Sequence, residues 1–384
     1  MLPPESKPVR ALVVASRFPW PSYTGDRIRA AMWVEALRGR GCEVTLVTPP
    51  GDGPPAPCRA ITAPRSAPAL AAGAMRVLRD GLPATALLAA GHDWRGALAA
   101  AHEGVGEFEV AVIVLARTEP WVGPFLTARR TVVDGIDSLA ANLDERGRAA
   151  IPPASWLWRL EARRMARLER SLPVRHDTVV VVAESEVTGF AGRAVVAGLG
   201  VELRPIGETT RGFDVGFWGR LPYFANRDAA RVLLEEVWPL VRRQIPAATL
   251  LVGGVGAPEF VRRRHGRDGV TVVSPMDDRA ALLRRVQVAL FPIRFGSGQP
   301  TKVLEAAEAG CAIVATPAGV RGVGELAFNA LVGRDPGELA AHAVAMLRDP
   351  DRTVARGRAA RAIVERDYSL DSALARLAAI ALDA

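Results

Sequence analysis

The residues best placed to do chemistry lie between Phe291 and Val323, FPIRFGSGQPTKVLEAAEAGCAIVATPAGVRGV. Lys302 stands in the first turn of an expected helix, where a cation faces the positive end of the macrodipole at a cost of a few tenths of a kcal/mol. The chain otherwise relies on arginine, and its only other lysine is Lys7. A lysine kept against that bias points to a need for a compact ammonium rather than a planar fork. Before it runs a glycine loop, Gly296, Ser297 and Gly298, continued by Gln299, Pro300 and Thr301. Loop amides, the free N–H groups of a helix N-terminus and a lysine together form a site for a phosphate or diphosphate. Glu305 follows at i+3 from Lys302 on the same helix face, and its carboxylate can accept hydrogen bonds from sugar hydroxyls. The plain alternative is an exposed Lys302–Glu305 pair worth about half a kcal/mol, which leaves the glycine loop unexplained.

These residues need a strand to end before them and a helix to start beneath them. Val288 to Phe291 reads as a buried strand. Pro300 suits the first helical position, since its missing N–H would be unpaired there anyway. Ser297 or Gln299 can supply cap oxygens, and the spacing predicts a helix from Pro300 to Ala309 that stops at Gly310. CAIVAT is a second buried strand.

The pattern G-x-G-x-x-x-K-V-L-E-A-x-x-x-G, followed by a strand ending Ala-Thr and a loop ending Arg321-Gly322-Val323, resembles the donor motif of family 4 glycosyltransferases. These are retaining enzymes of the two-domain GT-B fold. The resemblance implies that Glu305 holds the ribose of a nucleotide-sugar, while the loop and helix N-terminus hold its diphosphate. GFWGRLPYFANRDAA resembles the opening of the family's donor domain, and this assigns Arg220 to the leaving diphosphate. The family's usual second cation falls around Asn226-Arg227, and the first glutamate of the E-x7-E pair of many members falls on Ser297. The likeness is strongest from Phe213 to Val323.

The N-terminal half opens as a βαβ unit: strand ALVVAS, a loop through Gly25, a helix ending near Gly39 or Gly41, and strand EVTLVT. Gly25, Arg27 and Arg29 either serve an anion at the strand's carboxyl end or form a plain connection with surface arginines. The resemblance favours the first, because members carry a glycine-bearing loop here that closes over the donor diphosphate. Gly51 to Pro68 reads as a surface loop, with helices over Ala69 to Arg79 and Thr85 to His102. Asp134 and Asp137 end strand TVVD on the ligand edge, near where many relatives place a histidine, and are catalytic candidates; Asp137 serves equally as a cap for Ser138 to Ala141. Trp156 to Leu172 is amphipathic, with Leu157, Leu160, Met165, Leu168 and Leu172 near a 3.6 period. Core packing is the expectation for that face, and peripheral membrane contact the less favoured one. DTVVVVAESE ends this half, with Ser185 as a helix cap.

A chain of 384 residues exceeds the roughly 250–300 at which one core stops growing. Strand–helix alternation in both halves therefore predicts an α/β protein of two Rossmann-like domains facing a central cleft. The expected domains are 1–204, an acceptor domain, and 205–367, the donor domain, with a closing helix over 368–384 packing back on the first. The net charge of +8 admits a phosphorylated small molecule. No basic face interleaved with aromatics, and no known module, argues for nucleic acid. Cys42, Cys58 and Cys311 lack metal spacing, the five histidines are scattered, and no apolar run approaches the roughly 20 residues of a membrane span. No metal, no cofactor and a cytoplasmic location are expected. The resulting expectation is a retaining hexosyltransferase that moves sugar from a nucleotide diphosphate to an acceptor hydroxyl. A nucleotide-sugar epimerase of the same fold, or a non-catalytic nucleotide-sugar-binding subunit, is the alternative.

Overall fold

The computed structural model describes residues 8–22, 24–103, 105–205, 211–296 and 298–383. Packing separates them into two units, one of 1–198 with 373–384 and one of 199–372.

Unit 1 is built on a parallel sheet of β1 (Arg10–Val14), β2 (Glu43–Thr48), β3 (Arg59–Thr62), β4 (Phe108–Val114), β5 (Ala128–Ile136), β6 (Thr178–Val181) and β7 (Ala194–Val196). Their spatial order is β3-β2-β1-β4-β5-β6-β7. Leu12, Val14, Val47, Ile113 and Val133 are wholly buried. That is what near-continuous apolar runs produce when helices cover both faces of a parallel sheet. The longer helices are α1 (Gly25–Gly39), α2 (Ala67–Asp80), α3 (Trp94–His102), α4 (Leu139–Ala149) and α5 (Ala154–Arg175).

Four expectations for this unit are corrected. The 51–68 loop contains edge strand β3, whose exposed residues hid it from a reading based on buried runs. The single helix over 85–102 is broken at Gly91, and Asp93 caps a fresh start by accepting from Gly96 N at 2.9 Å. Ser185 lies inside a 3-10 stretch, Glu184–Phe190, and its hydroxyl bonds Glu186 rather than capping a helix. On α5, Leu157 is 67% and Leu160 48% exposed, so they are not core. Buried carboxylates occupy the inward face in their place. Glu161 accepts from the amides of Ala84 and Thr85, and Glu169 from Ala140 N and Ser138 Oγ.

Unit 2 carries the second parallel sheet: β8 (Phe213–Trp218), β9 (Leu250–Gly253), β10 (Val270–Val273), β11 (Val286–Phe291), β12 (Ala312–Ala315) and β13 (Leu331–Val332). The order is β10-β9-β8-β11-β12-β13. Its helices include α6 (Phe224–Val232), α7 (Trp238–Gln244), α8 (Arg279–Arg284), α9 (Thr301–Glu308), α10 (Pro336–Arg348) and α11 (Pro350–Asp367). Between α6 and α7 the helix contains a π turn, Leu233–Val237, just before Pro239. Proline has no N–H to continue the i→i−4 ladder, which accounts for the local widening.

Helix α12 (Leu370–Leu382) spans the division, with 373–384 grouped in unit 1. The first boundary precedes Leu199 instead of following Arg204. Leu199 N donates to Gln299 Oε1 at 2.6 Å, and Val201 bridges Ser369 in parallel, so this segment is already tied to unit 2.

Candidate functional site

In unit 2 the chain leaves β8 toward β9 on one side and leaves the adjacent β11 toward β12 on the other. Loops at the carboxyl ends of β8 and β11 therefore diverge and leave a crevice, the usual ligand position in an open α/β sheet. Gly219-Arg220 follows β8 and the Pro292–Pro300 loop follows β11, so the sequence candidates converge on that crevice. Gly219 has φ +154, and a Cβ on Gly254 would sit 1.8 Å from Gly219 O, so the backbone here is as tight as glycine permits. Gly296 (φ +144) and Gly298 (φ +74) also occupy conformations that L side chains rarely adopt.

Lys302 is half-buried in the first turn of α9. Its ammonium donates to Asn226 Oδ1 and lies 5.9 Å from the centroid of the Phe217 ring. Asn226 is buried at the start of α6, and its amide nitrogen donates to Arg220 O at 2.9 Å. One side chain thus joins the β8 end to the lysine. Burial pulls the Lys302 pKa down to about 8, with Glu305 opposing the fall. Asn226 occupies part of the region where the family's second cation is expected, and it supplies an acceptor that aims the one lysine.

Glu305 is held at both oxygens. Trp218 Nε1 donates to Oε2 at 2.9 Å and Arg279 Nη1 to Oε1 at 2.5 Å. Trp218 is itself fixed edge-on to Phe291, centroid to centroid 5.1 Å. Arg279, at the start of α8, is half exposed, whereas Trp218 is buried, so only the Arg279 partner can leave without disturbing the core. Arg220, whose carbonyl holds Asn226, has an exposed side chain.

Around the glycine loop, Arg321 Nη1 donates to Gly296 O at 3.1 Å, and Arg294 pairs with Asp228. The Arg294–Asp228 pair joins residues 66 positions apart and is not legible in the sequence. Helix α9 begins at Thr301, so Pro300 is the residue before the first helical position rather than that position, and no side chain caps the end. Gln299 does not supply a cap: its oxygen goes to Leu199 N, and the side chain is buried. Ser297 lies outside the described residues. Among the described residues no side chain caps the first-turn amides around Thr301 and Lys302, as an anion site requires.

Unit 1 separates its candidates. Asp134 is fully buried: Oδ2 accepts from Arg29 Nε and from Trp33 Nε1 at 2.6 Å, and Oδ1 from Ile136 N at 2.9 Å. It cannot meet a substrate as a catalytic acid or base. Arg29 is equally buried and is not an anion ligand at the surface. An ion pair so enclosed survives because each charge neutralises the other, with Trp33 Nε1 and Ile136 N completing the carboxylate and Gly198 O accepting from Arg29 Nη1 at 3.2 Å. Asp137 is half-buried on the carboxyl edge. The helix cap beside it is Ser138, whose Oγ accepts from Ala141 N at 3.1 Å.

Gly25 opens α1 with no atom within 4 Å of a Cβ position. Thr24, just before it, turns its hydroxyl to Asp26 at 2.7 Å, and Arg17 clamps Asp26 with two bonds of 2.7 Å. Arg117, at the carboxyl end of β4, is missed by the sequence reading. Burial lowers its pKa, with Asp26 and Asp137 acting against Arg17 on it. The strand order could have flagged it, since β1 and β4 flank the crevice of this sheet. Among the described residues no group of three His, Cys, Asp or Glu could hold a metal ion, and no helix is long and apolar enough to cross a membrane.

Residues 212–349 match a family model described as Glycosyl transferases group 1. The matched stretch contains Arg220, Asn226, Arg279, Lys302 and Glu305. Over nearly the whole chain the structure is similar to sucrose-phosphate synthase from Thermosynechococcus elongatus, with TM-score 0.69 and 17% identity over 97% of this chain and 98% of that one. It is similar to Anabaena HepE in complex with UDP, with TM-score 0.67 and 14% identity over 97% and 99%. WaaG, a glycosyltransferase involved in lipopolysaccharide biosynthesis, gives TM-score 0.63 and 15% identity over 98% and 100%. At these identities the likeness establishes the fold, two parallel-sheet α/β units of the GT-B type. No curated protein sequence matches the chain.

Proposed function

We propose that the protein is a retaining glycosyltransferase of the family 4 type, with a nucleotide-diphosphate sugar as donor and a hydroxyl compound as acceptor. The observation that carries this is the N-terminus of α9, uncapped among the described residues, with Lys302 aimed by Asn226, which also bonds Arg220 O, at the divergence of β8 and β11. Match of residues 212–349 to the glycosyltransferase model supports the same reading. HepE carries UDP in its structure, which makes UDP the first nucleotide to try.

In this reading the diphosphate lies against the α9 amides, and Lys302 and Arg220 balance its charge. The bond from the sugar's anomeric carbon to the diphosphate oxygen breaks, a bond to the acceptor oxygen forms on the same face, and the acceptor proton passes to the departing diphosphate. Lys302 and Arg220 act where negative charge develops, which is where fixed cations and dipoles lower a barrier most. Two cations and a helix N-terminus also make a divalent metal unnecessary. Glu305 takes the ribose hydroxyls when Arg279 releases its Oε1. The acceptor belongs to unit 1, with Asp137 at the edge of its sheet.

The test is a thermal-shift screen with UDP, GDP and dTDP, followed by product analysis with and without acceptor. Ligand at about 100 times Kd adds about 2.7 kcal/mol to stability. Transfer that needs an acceptor supports the proposal. Donor isomerised with no acceptor present supports an epimerase, and no nucleotide-dependent shift removes the donor site.

A further inference from the structure

We propose that the outward face of α5 docks the protein on an anionic lipid surface. The inference goes beyond glycosyl transfer and does not depend on it. Helix α5 turns Glu161, Met165, Leu168, Glu169 and Leu172 inward. Its other side shows Trp156 (66% exposed) and Leu157 (67%) in the first turns, then Arg163, Arg167 and Arg170. Ile151, just before the helix, is 81% exposed.

At 100° per residue, Trp156, Leu160, Arg163, Arg167 and Arg170 fall within one stripe. Both carboxylates of the helix, Glu161 and Glu169, are buried on the opposite side, so the outward stripe is apolar and cationic with no acid of its own. Among the described residues Arg163, Arg167 and Arg170 form no ion pair.

A second exposed apolar strip lies on α2. Met75 (71%) and Leu78 (75%) stand one turn apart on α2. The loop after α2 is bonded to α5 through Glu161, and a Cβ on Gly81 would lie 3.5 Å from Arg167 Nη1. The one carboxylate at that end of α2, Asp80, is taken up by Arg76 and Arg79.

Charge decides between possible occupants. A second copy of this face would set arginine against arginine, whereas anionic headgroups neutralise the guanidiniums as the apolar side chains enter below them. Tryptophan favours the headgroup level, and arginine can lay its stem along apolar surface while its head stays in the polar layer. Each arginine near an anionic leaflet adds about 1 kcal/mol, a factor of about five in partition.

The experiment is flotation of the full-length protein with phosphatidylcholine vesicles and with vesicles of equal parts phosphatidylcholine and phosphatidylglycerol. Binding to the second but not the first, weakened by salt, is expected. Arg163→Glu with Arg167→Glu, and separately Trp156→Ser with Leu157→Ser, each lower partition at least about tenfold, with melting temperature and nucleotide binding unchanged. These side chains are exposed, so the variants keep the fold. Absence of the wild-type chain from anionic vesicles overturns the proposal, as does equal partition of either variant. A dimer in solution that Trp156→Ser with Leu157→Ser converts to monomer also overturns it, because the face then belongs to a second copy.

Discussion

Lys302 should couple nucleotide binding to proton uptake. Burial holds its pKa at about 8 in the absence of ligand, and a diphosphate beside it favours the charged form. If only the ammonium binds the diphosphate, affinity follows the charged fraction, about nine-tenths at pH 7 and about one-tenth at pH 9. The dissociation constant should then rise about tenfold across that interval, a loss of about 1.4 kcal/mol. At pH 8 about half a proton should be taken up per nucleotide bound, which calorimetry in two buffers of different ionisation enthalpy measures directly. Lys302→Met should weaken binding at pH 7 and remove the slope, which separates the lysine from any titration of the nucleotide itself. For the unliganded protein the sign is opposite. The folded pKa lies below the unfolded value, so the charged lysine costs stability below about pH 8, and that cost fades as pH rises toward the unfolded value. A flat affinity between pH 7 and 9, or an unchanged slope in Lys302→Met, would refute the reasoning.

Arg279→Ala should tighten nucleotide binding by up to about fivefold, since it frees Glu305 Oε1 from an exposed pair worth at most about 1 kcal/mol; Glu305→Gln should weaken it, and the reverse order in calorimetry excludes the ribose role. Asp134→Asn should cost about 3–5 kcal/mol of unfolding free energy by leaving Arg29 charged and unpaired, so denaturant titration should register the change even where nucleotide affinity does not. An undiminished midpoint with lost activity would instead give Asp134 a chemical role. Chelator should leave transfer intact, and a strict need for magnesium or manganese in initial-rate assays would remove the metal-free mechanism.

The sequence by itself determined the alternation of buried strands and helices, the glycine loop and the lysine at the start of α9. These are local properties: apolar runs of strand length, a residue free to take positive φ, and a helix start all depend on neighbours a few positions away. The tertiary structure decided what each charged group faces. Lys302 meets Asn226 across 76 positions and Glu305 meets Trp218 across 87, pairings no local pattern encodes. Asp134 reads as a strand-end carboxylate on the ligand edge, yet Arg29, 105 positions earlier, seals it in the interior. On α5 the 3.6 period placed Met165, Leu168 and Leu172 on the buried side, but it also put Leu157 and Leu160 there and missed Glu161 and Glu169, which found backbone amides and a hydroxyl to bind. A carboxylate is buried wherever the fold supplies donors for it, and those donors are known only when distant segments have come together.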